Sequence, residues 1–276
     1  MNRTERIMPG DGDRASELAP GIRLHIFAGG HVGAQGLTTC KVTMQAQSML
    51  AYHTHPCSEA ITVLEGRSQV LVEGRRYHLE PHDSVHVPGG VAHSVRGAST
   101  NAPTVLHTAF ASEAPTRDFV ASRFEVVDCL ESDASWPEHV TRFEGAAIYQ
   151  LAPQARFRDL FGGRFGARGI CGGYGIFEPG TSLPCHLHHF DESITIVTGR
   201  AVCQVAGREY ELSGYDTAWV PRGRPHRFIN RSDKPMAMIW VYAGDTPDRV
   251  ILDQGYCEGV LSIASLSDSS LGRDAN

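Results

Sequence analysis

The sequence of 276 residues has no long apolar run, no block of basic residues and no closely paired cysteines. Without a run of about 20 apolar residues, we expect no membrane-spanning helix. The polar start lacks the apolar core of a secretory signal peptide, so we expect a chain that stays in the cytoplasm. With a net charge of −6 and no basic block, neither nucleic acid nor a membrane surface is an expected partner.

The seven cysteines are odd in number, and no two are spaced as Cys-x-x-Cys. A disulfide framework and a structural zinc site are therefore not expected. Reduced thiols in a cytoplasm fit this pattern best. Cys57 and Cys185 are close in sequence to the histidine clusters described next. We expect both to be small buried thiols that line a wall, in preference to redox groups or ligands.

One stretch contains three candidate metal ligands, two histidines and one glutamate, within seven residues. It runs His53-Thr-His55-Pro-Cys-Ser-Glu59 and is closed later by His93. On an extended strand, residues two apart leave the same face, and Glu59 is a further even step away. His93 follows the turn sequence Pro88-Gly-Gly90, which can bring a distant strand alongside. A lone histidine would be better interpreted as structural, but this set predicts a metal site.

The same pattern recurs later in the chain without a gap. His186-Leu-His188-His-Phe-Asp-Glu192 is closed by His226, and the offset is constant (186 − 53 = 133, 226 − 93 = 133). Residues 51–97 and 184–230 share 17 identities in 47 positions. About three would be expected by chance, so the chain contains an internal repeat. A length of 276 residues agrees with about two domains.

Many short runs of β-forming residues are separated by Gly- and Pro-rich turns. Examples are Ile22–Phe27, Leu37–Met44, Ala60–Leu64 and Ser68–Val72. Strands at intervals of about 8–12 residues indicate an all-β sandwich or barrel. The residues between the repeats, which are richer in polar and Pro positions, predict a connection that carries a strand onto a neighbouring unit.

With these residues in place, the chain resembles a bicupin of the cupin superfamily. Both copies match the superfamily's first motif from His-x-His-x3-Glu-x6-Gly onward, ending at Gly66 and Gly199. Both also match the core of the second motif, Pro-x-Gly-x2-His, as in Pro88-x-Gly90-x2-His93. His82 and Tyr215 stand where that motif usually opens with Gly, which changes a turn and removes no ligand.

The resemblance implies two tandem jelly-roll β-barrels, each with a metal inside. We divide the chain into an N-terminal arm (1–20), barrel 1 (21–112), an inter-domain connection (113–145), barrel 2 (146–264) and a flexible tail (265–276). It implies one divalent transition metal per barrel, with Fe(II) or Mn favoured and Ni, Co, Cu or Zn allowed by nitrogen and oxygen ligands. The implied ligands are His53, His55, Glu59 and His93, and His186, His188, Glu192 and His226.

Three functions follow from this ligand set. The first is a dioxygenase that cleaves a small enolisable or phenolic substrate with O2. The second is a non-oxidative lyase, decarboxylase or isomerase, and the third is a small-molecule-binding protein without activity. In an enzyme, Glu59 and Glu192 are candidate bases, which would require a raised pKa that an apolar wall can give. We expect no other cofactor, and a homodimer is possible, with the arm or the connection exchanged between barrels or subunits.

Other residues near the motifs are expected to be structural. His107 is either a structural histidine or an orienting partner of a ligand. His86 is predicted to lie in a wall or at the surface because its repeat partner is Trp219. His78, His82 and His189 are expected at the surface, and Tyr52 and Tyr174 in the core or rim.

Overall fold

The computed structural model describes residues 3–11, 15–121 and 123–262. As expected from the many short β-forming runs, their regular secondary structure is almost all β. The predicted tail, 265–276, lies outside them. The strands are β1 (Arg6–Met8), β2 (Ser16–Ala19), β3 (Ile22–Ala28), β4 (Thr38–Met44), β5 (Met49–Thr54), β6 (Glu59–Glu65), β7 (Ser68–Val72), β8 (Arg75–Leu79), β9 (Ser84–Val87), β10 (His93–Gly97), β11 (Thr104–Phe110), β12 (Asp118–Phe119), β13 (Val127–Cys129), β14 (His139–Thr141), β15 (Tyr149–Ala152), β16 (Ala155–Phe161), β17 (Cys171–Phe177), β18 (His186–Leu187), β19 (Glu192–Thr198), β20 (Arg200–Val205), β21 (Arg208–Ser213), β22 (Thr217–Val220), β23 (His226–Ile229), β24 (Met236–Tyr242) and β25 (Val250–Ile251).

Helical structure is confined to three short pieces of the described chain. Two are single 3₁₀ turns and one is an α-helix near the C-terminal end. They are Gly30–Val32, Gly163–Phe165 and α1 (Gln254–Glu258). None of them has the length or apolar character needed to cross a bilayer.

Barrel 1 consists of two sheets packed face to face. The first has the strand order β14-β9-β6-β11-β4-β3-β2, and the second has the order β12-β5-β10-β7-β8-β13. Their inner faces form an apolar core that includes Ile61 and Val63. The predicted connection, 113–145, is built into this barrel, because β12, β13 and β14 all pair with its strands.

Barrel 2 repeats this plan. Its sheets have the orders β1-β22-β19-β24-β17-β16-β15 and β21-β20-β23-β18-β25. Ile194 and Ile196 lie in its core, as Ile61 and Val63 do in barrel 1.

The two barrels exchange their first strands. β1 begins the chain but pairs with β22 of barrel 2, whereas β14 precedes barrel 2 but pairs with β9 of barrel 1. A buried glutamate precedes each exchanged strand. Glu5 lies 2.6 Å from Arg208 and 2.8 Å from Arg224, and Glu138 lies 2.6 Å from Arg75. Because 138 − 5 = 133, the repeat begins at the arm and is longer than the motif region.

The two seven-stranded sheets pack against each other through their outer faces. Leu64, Val105 and Ala109 of barrel 1 share one apolar cluster with Ile239 and Val241 of barrel 2. A hydrogen bond of 2.7 Å joins Thr39 Oγ1 and Ser193 Oγ within this interface. The barrels therefore form one packed body, in which residues such as His107 and Thr195 on the two outer faces are buried.

One disulfide joins Cys185 to Cys257. The expectation of reduced thiols throughout, with Cys185 as a small wall-lining thiol, is therefore wrong at these two positions. The partners are separated by 72 residues, so they fall outside a Cys-x-x-Cys pattern. The other five cysteines are free thiols. Cys57 is one of them, and partial burial raises its thiol pKa.

Candidate metal centres

The first cluster is assembled from the two sheets of barrel 1. The three histidines come from the β5 and β10 region of the six-stranded sheet, and Glu59 begins β6 on the opposite sheet. One ligand-type atom from each of His53, His55, Glu59 and His93 lies within 4.8 Å of the other three, and all four residues are buried. The sequence-predicted residues are thus brought together at one point inside the barrel.

A glycine turn brings β10 alongside β5. Gly90 has a φ of +82°, a conformation that a residue with a Cβ rarely adopts. The Gly90 N–H donates to the carbonyl of His55 at 2.7 Å. Gly223 repeats this geometry, with its N–H donating to His188 at 2.8 Å. The Pro-x-Gly motif therefore ties the last histidine strand to the His-x-His segment.

The main chain holds every imidazole of the cluster in one orientation. His53 Nδ1 lies 2.8 Å from the carbonyl of Ala51, and His93 Nδ1 lies 3.0 Å from that of Val91. His55 Nδ1 reaches the carbonyl of Thr116. Because a carbonyl only accepts, each ring carries a proton on Nδ1, and when the ring is neutral its Nε2 lone pair points inward. This is the tautomer that a metal requires.

The pKa of Glu59 in the first cluster differs from the value that a catalytic base would need. Burial would raise the pKa of this carboxyl, but hydrogen bonds from His55 and His93 hold it well below its usual range. The raised pKa that a base would require is therefore absent in this arrangement, because the contacts with His55 and His93 outweigh the effect of burial. Burial, together with the charge of His93, lowers the pKa of His53 to about 3, so its ring stays neutral.

The second cluster has the same geometry. His186, His188, Glu192 and His226 also place one ligand-type atom each within 4.8 Å. Nδ1 of His186 lies 2.8 Å from the carbonyl of Pro184, and Nδ1 of His188 faces that of Asp248. Burial alone would raise the pKa of Glu192. The interactions with His188 and His226 outweigh this effect, so the pKa is lowered.

Each cluster fits a divalent transition metal. The Nε2 atoms of His55 and His188 are buried without a well-formed hydrogen bond and lie 3.3 and 3.2 Å from the nearby glutamate oxygen. Buried polar atoms are normally satisfied, and a cation between the rings and the carboxylate would satisfy all four groups. Three imidazoles and one carboxylate suit Fe, Mn, Ni, Co, Cu or Zn.

The residue pattern agrees with a known family. The cupin domain family matches residues 40–110 and 173–242, one segment in each barrel. The chain is a bicupin of the cupin superfamily. No curated protein matches it in sequence.

Solved structures show the same fold at low sequence identity. The bicupin superposes on a Lactobacillus farciminis oxalate decarboxylase formate complex with a TM-score of 0.73, 13% identity, and coverage of 89% of this chain and 88% of that chain. A deletion mutant of Bacillus subtilis oxalate decarboxylase gives a TM-score of 0.71, 15% identity, and coverage of 87% and 77%. At such identities the likeness establishes the two-barrel fold.

The first barrel of the bicupin contains a cavity of about 600 Å³ that reaches its cluster. His53, His55 and Glu59 contribute to its lining. Most of the remaining wall is apolar and comes from β3, β4 and their neighbours, including Ile22, Leu24, Val42, Met44, Leu50 and Leu106. A small organic molecule with an apolar body can therefore reach the first cluster.

The second cluster is covered. A cavity of about 1030 Å³ lies beside it, but none of the four cluster residues lines that cavity. The ring of Phe190 stacks on His188 with centroids 5.8 Å apart, and the ring of Tyr242 lies 4.4 Å from it. Cys57 occupies the repeat position of Phe190 (190 − 133 = 57), so the first cluster has no counterpart of that aromatic ring.

The remaining sequence-predicted residues take structural positions. His107 is buried between the barrels, with Nε2 3.4 Å from Thr195 Oγ1, and it contacts no ligand histidine in the hydrogen bonds described. His86 is fully buried in β9, which excludes the surface alternative. His82 packs on Phe143 and Tyr174, contrary to the expectation of a solvated ring. His78 and His189 are exposed, and each pairs with an aspartate, Asp128 and Asp248 respectively.

Sequence reasoning missed a pair of arginines beside the two clusters. Arg117 lines the cavity of barrel 1, and Arg249 lines that of barrel 2. They lie one residue after Thr116 and Asp248, whose carbonyls face His55 and His188. Their offset is 132 (249 − 117), so a gapless comparison at 133 does not align them.

Proposed function

We propose that this bicupin is a metal-dependent enzyme and that barrel 1 holds the active site. The supporting observation is the first cluster, whose four convergent ligand atoms lie at the end of an apolar cavity. His53, His55, Glu59 and His93 would hold one ion, and His186, His188, Glu192 and His226 a second. Fe(II) or Mn is the proposed metal, with Ni, Co, Cu or Zn as alternatives.

The proposed reaction is oxygen-dependent cleavage of an enolisable or phenolic substrate. A metal bound in the first cluster would supply Lewis acidity and a template for substrate oxygens and O2. The protein's own contribution is an apolar cavity lining, which would exclude water and hold the apolar body of the substrate. Glu59 would act as a base only when it turns away from His55 and His93, because these contacts lower its pKa. Glu192 is constrained in the same way.

Decarboxylation without oxygen is the second candidate. The two-barrel fold is shared with oxalate decarboxylases across nearly the whole chain, which favours this class as the alternative. The cavity, however, is larger and more apolar than oxalate needs, so we propose a bulkier substrate in either case. The cytoplasmic location and the homodimer remain predictions from the sequence.

Metal content and gas exchange test the proposal together. Protein purified without a chelating column should carry two ions per chain. His55→Ala should remove one ion and His188→Ala the other, and His55→Ala alone should abolish turnover. Retention of both ions in either variant would show that its cluster is not a metal site.

A panel of diketones, catechols, flavonols and keto acids distinguishes the reactions. Oxygen uptake that stops without air supports the dioxygenase. Carbon dioxide release that continues without air supports the decarboxylase. Two bound ions with no turnover on any class would favour the binding protein that the sequence also allows.

A further inference from the structure

Arg117 is an unpaired cation in the wall of the first cavity. It contributes the only arginine or lysine side chain to the described lining. Its Nε is buried with no hydrogen-bond partner among the described residues. A guanidinium group usually satisfies its donors with a carboxylate or a carbonyl. Because Arg117 lines the cavity, a ligand bound there is positioned to supply the missing acceptor.

The backbone on both sides of Arg117 is fixed by the metal-cluster strand. The carbonyl of Thr116 accepts a hydrogen bond from His55. After Arg117, β12 pairs with β5 through Asp118 and Thr54 and through Phe119 and His53. The arginine is therefore positioned relative to two cluster histidines before any ligand binds. Such preorganisation reduces the entropy that binding must overcome.

The charges in the cavity favour an anion. A divalent ion with one carboxylate ligand, Glu59, leaves about one positive charge at the cluster, and Arg117 adds a second. Glu113 also lines the cavity, but it lies at the exposed end, where it accepts from the Gly36 N–H at 3.0 Å. The inner part of the cavity thus combines two cationic points with an apolar wall.

We propose that Arg117 binds the carboxylate of the substrate and thereby selects an organic acid with an apolar body. This inference rests on the proposed function, because it assigns the substrate class of that same cavity. The guanidinium would take the carboxylate in a two-point contact, while another oxygen of the substrate faces the cluster. Neutral analogues would lose this contact and bind less tightly.

The corresponding arginine of barrel 2 is in a different setting. Arg249 also has a buried Nε without a hydrogen-bond partner among the described residues, but its Nη2 lies 3.5 Å from the hydroxyl of Tyr242. Barrel 1 has no such hydroxyl, because Phe110 pairs with Glu59 where Tyr242 pairs with Glu192. Asp159 and Asp248 line the same cavity as Arg249. Acidic neighbours and a covered cluster make barrel 2 a poor anion site, so Arg249→Gln serves as the matched control.

Calorimetric titration of the metal-loaded protein with 2-naphthoate and with neutral 2-naphthamide tests the inference. We expect 2-naphthoate to bind wild type, and Arg117→Gln to weaken it by about tenfold to a hundredfold, the range for a charged hydrogen-bond pair. Arg117→Lys should recover part of the loss. Binding of 2-naphthamide should change less than twofold, and Arg249→Gln should leave both probes as in wild type.

Equal loss of both probes in Arg117→Gln, an unchanged Kd for 2-naphthoate, or no binding of 2-naphthoate to wild type would overturn the inference. The metal content of each sample is measured in parallel. If the wild type carries both ions and turns over substrate, but Arg117→Gln does not change 2-naphthoate binding, the proposed function stands and only the substrate assignment is wrong. If the wild-type protein binds no ions, the proposed function itself is wrong.

Discussion

The six cluster imidazoles depend on main-chain carbonyls for their orientation. Four of them donate to the residue two positions earlier, as His53 does to Ala51 and His226 to Arg224. His55 and His188 instead reach across to the segments that carry Arg117 and Arg249. Because the acceptors belong to the backbone, no substitution of a neighbouring side chain removes them. The orientation of the ligands is therefore a property of the fold.

His107 makes stability depend on pH at the inter-barrel interface. Burial lowers its pKa from 6.5 to about 4. The unfolded chain therefore binds a proton that the folded chain excludes, and stability is lost as pH falls from about 6.5 towards 4. Relative to wild type, His107→Leu should gain about 2 kcal/mol in its free energy of unfolding when the pH drops from 7 to 5.

Urea denaturation at pH 7 and pH 5 measures this difference. Thr195 keeps a hydrogen bond of 2.8 Å to Thr217 when the imidazole is removed, so the variant should fold. His107→Gln, which cannot be protonated either, should show the same pH shift. An identical difference between variant and wild type at both pH values would contradict the prediction.

At the scale of the elements, an aromatic contact in barrel 1 corresponds to a disulfide in barrel 2. In barrel 1, the rings of Tyr52 and Phe124 pack at 5.0 Å between centroids. Their repeat positions in barrel 2 are Cys185 and Cys257 (52 + 133, 124 + 133), which form the disulfide. A covalent link thus replaces an aromatic contact and holds α1 beside the strand of His186.

Removal of this disulfide should destabilise barrel 2. The disulfide closes a loop of 72 residues, and such a bond typically contributes about 2–4 kcal/mol, chiefly by restricting the unfolded chain. Cys257→Ser should lower the free energy of unfolding by this amount, and a reducing agent should lower that of wild type equally. Cys129→Ser, at a free thiol, is the control and should have little effect.

Alkylation of the unfolded chain provides an independent count. Five thiols should react without reductant and seven with it, because five cysteines are free. Seven reactive thiols in the unreduced protein would contradict the disulfide.

The ligands and the all-β fold could be predicted because identical residues recur at a fixed offset. The repeated motif identified Glu59, His93 and their partners without any knowledge of side-chain packing, although Glu59 lies on the sheet opposite the three histidines. The identity of the covered barrel could not be predicted, because it depends on how Phe190 and Tyr242 stack on His188.

The strand exchange, the disulfide, the role of Arg117 and the pKa of Glu59 could not be predicted from the sequence either. The exchanged strands β1 and β14 have three residues each and share none of them, so their pairing depends on tertiary packing. The disulfide has no repeat counterpart among the cysteines, and the offset of 132 conceals Arg117. The pKa of Glu59 depends on two hydrogen bonds whose strength the sequence does not give.

At the scale of the whole molecule, each half of the chain carries a strand that the other half needs. A fragment of residues 1–137 lacks β14 and Glu138, and a fragment of residues 138–276 lacks β1 and Glu5. Each would also expose its part of the apolar cluster between the barrels. Neither fragment should fold as a monomer, and the two together should form a one-to-one complex.

Coexpression followed by size-exclusion chromatography and metal analysis checks this expectation. The complex should carry two ions and elute with the intact chain. A monomeric 1–137 fragment that unfolds cooperatively and holds one ion would show that the exchanged strand is dispensable. The full chain, expressed in parallel, is the reference.

The reciprocal placement of β1 and β14 is the arrangement that two identical copies would make across a twofold axis. The chain therefore has the form of an ancestral homodimer whose subunits were duplicated and fused. Fusion makes the association independent of protein concentration. It also frees the two centres from symmetry, since a substitution in one copy no longer appears in the other. One centre is open to small molecules, while its twin has an aromatic cover and a neighbouring disulfide.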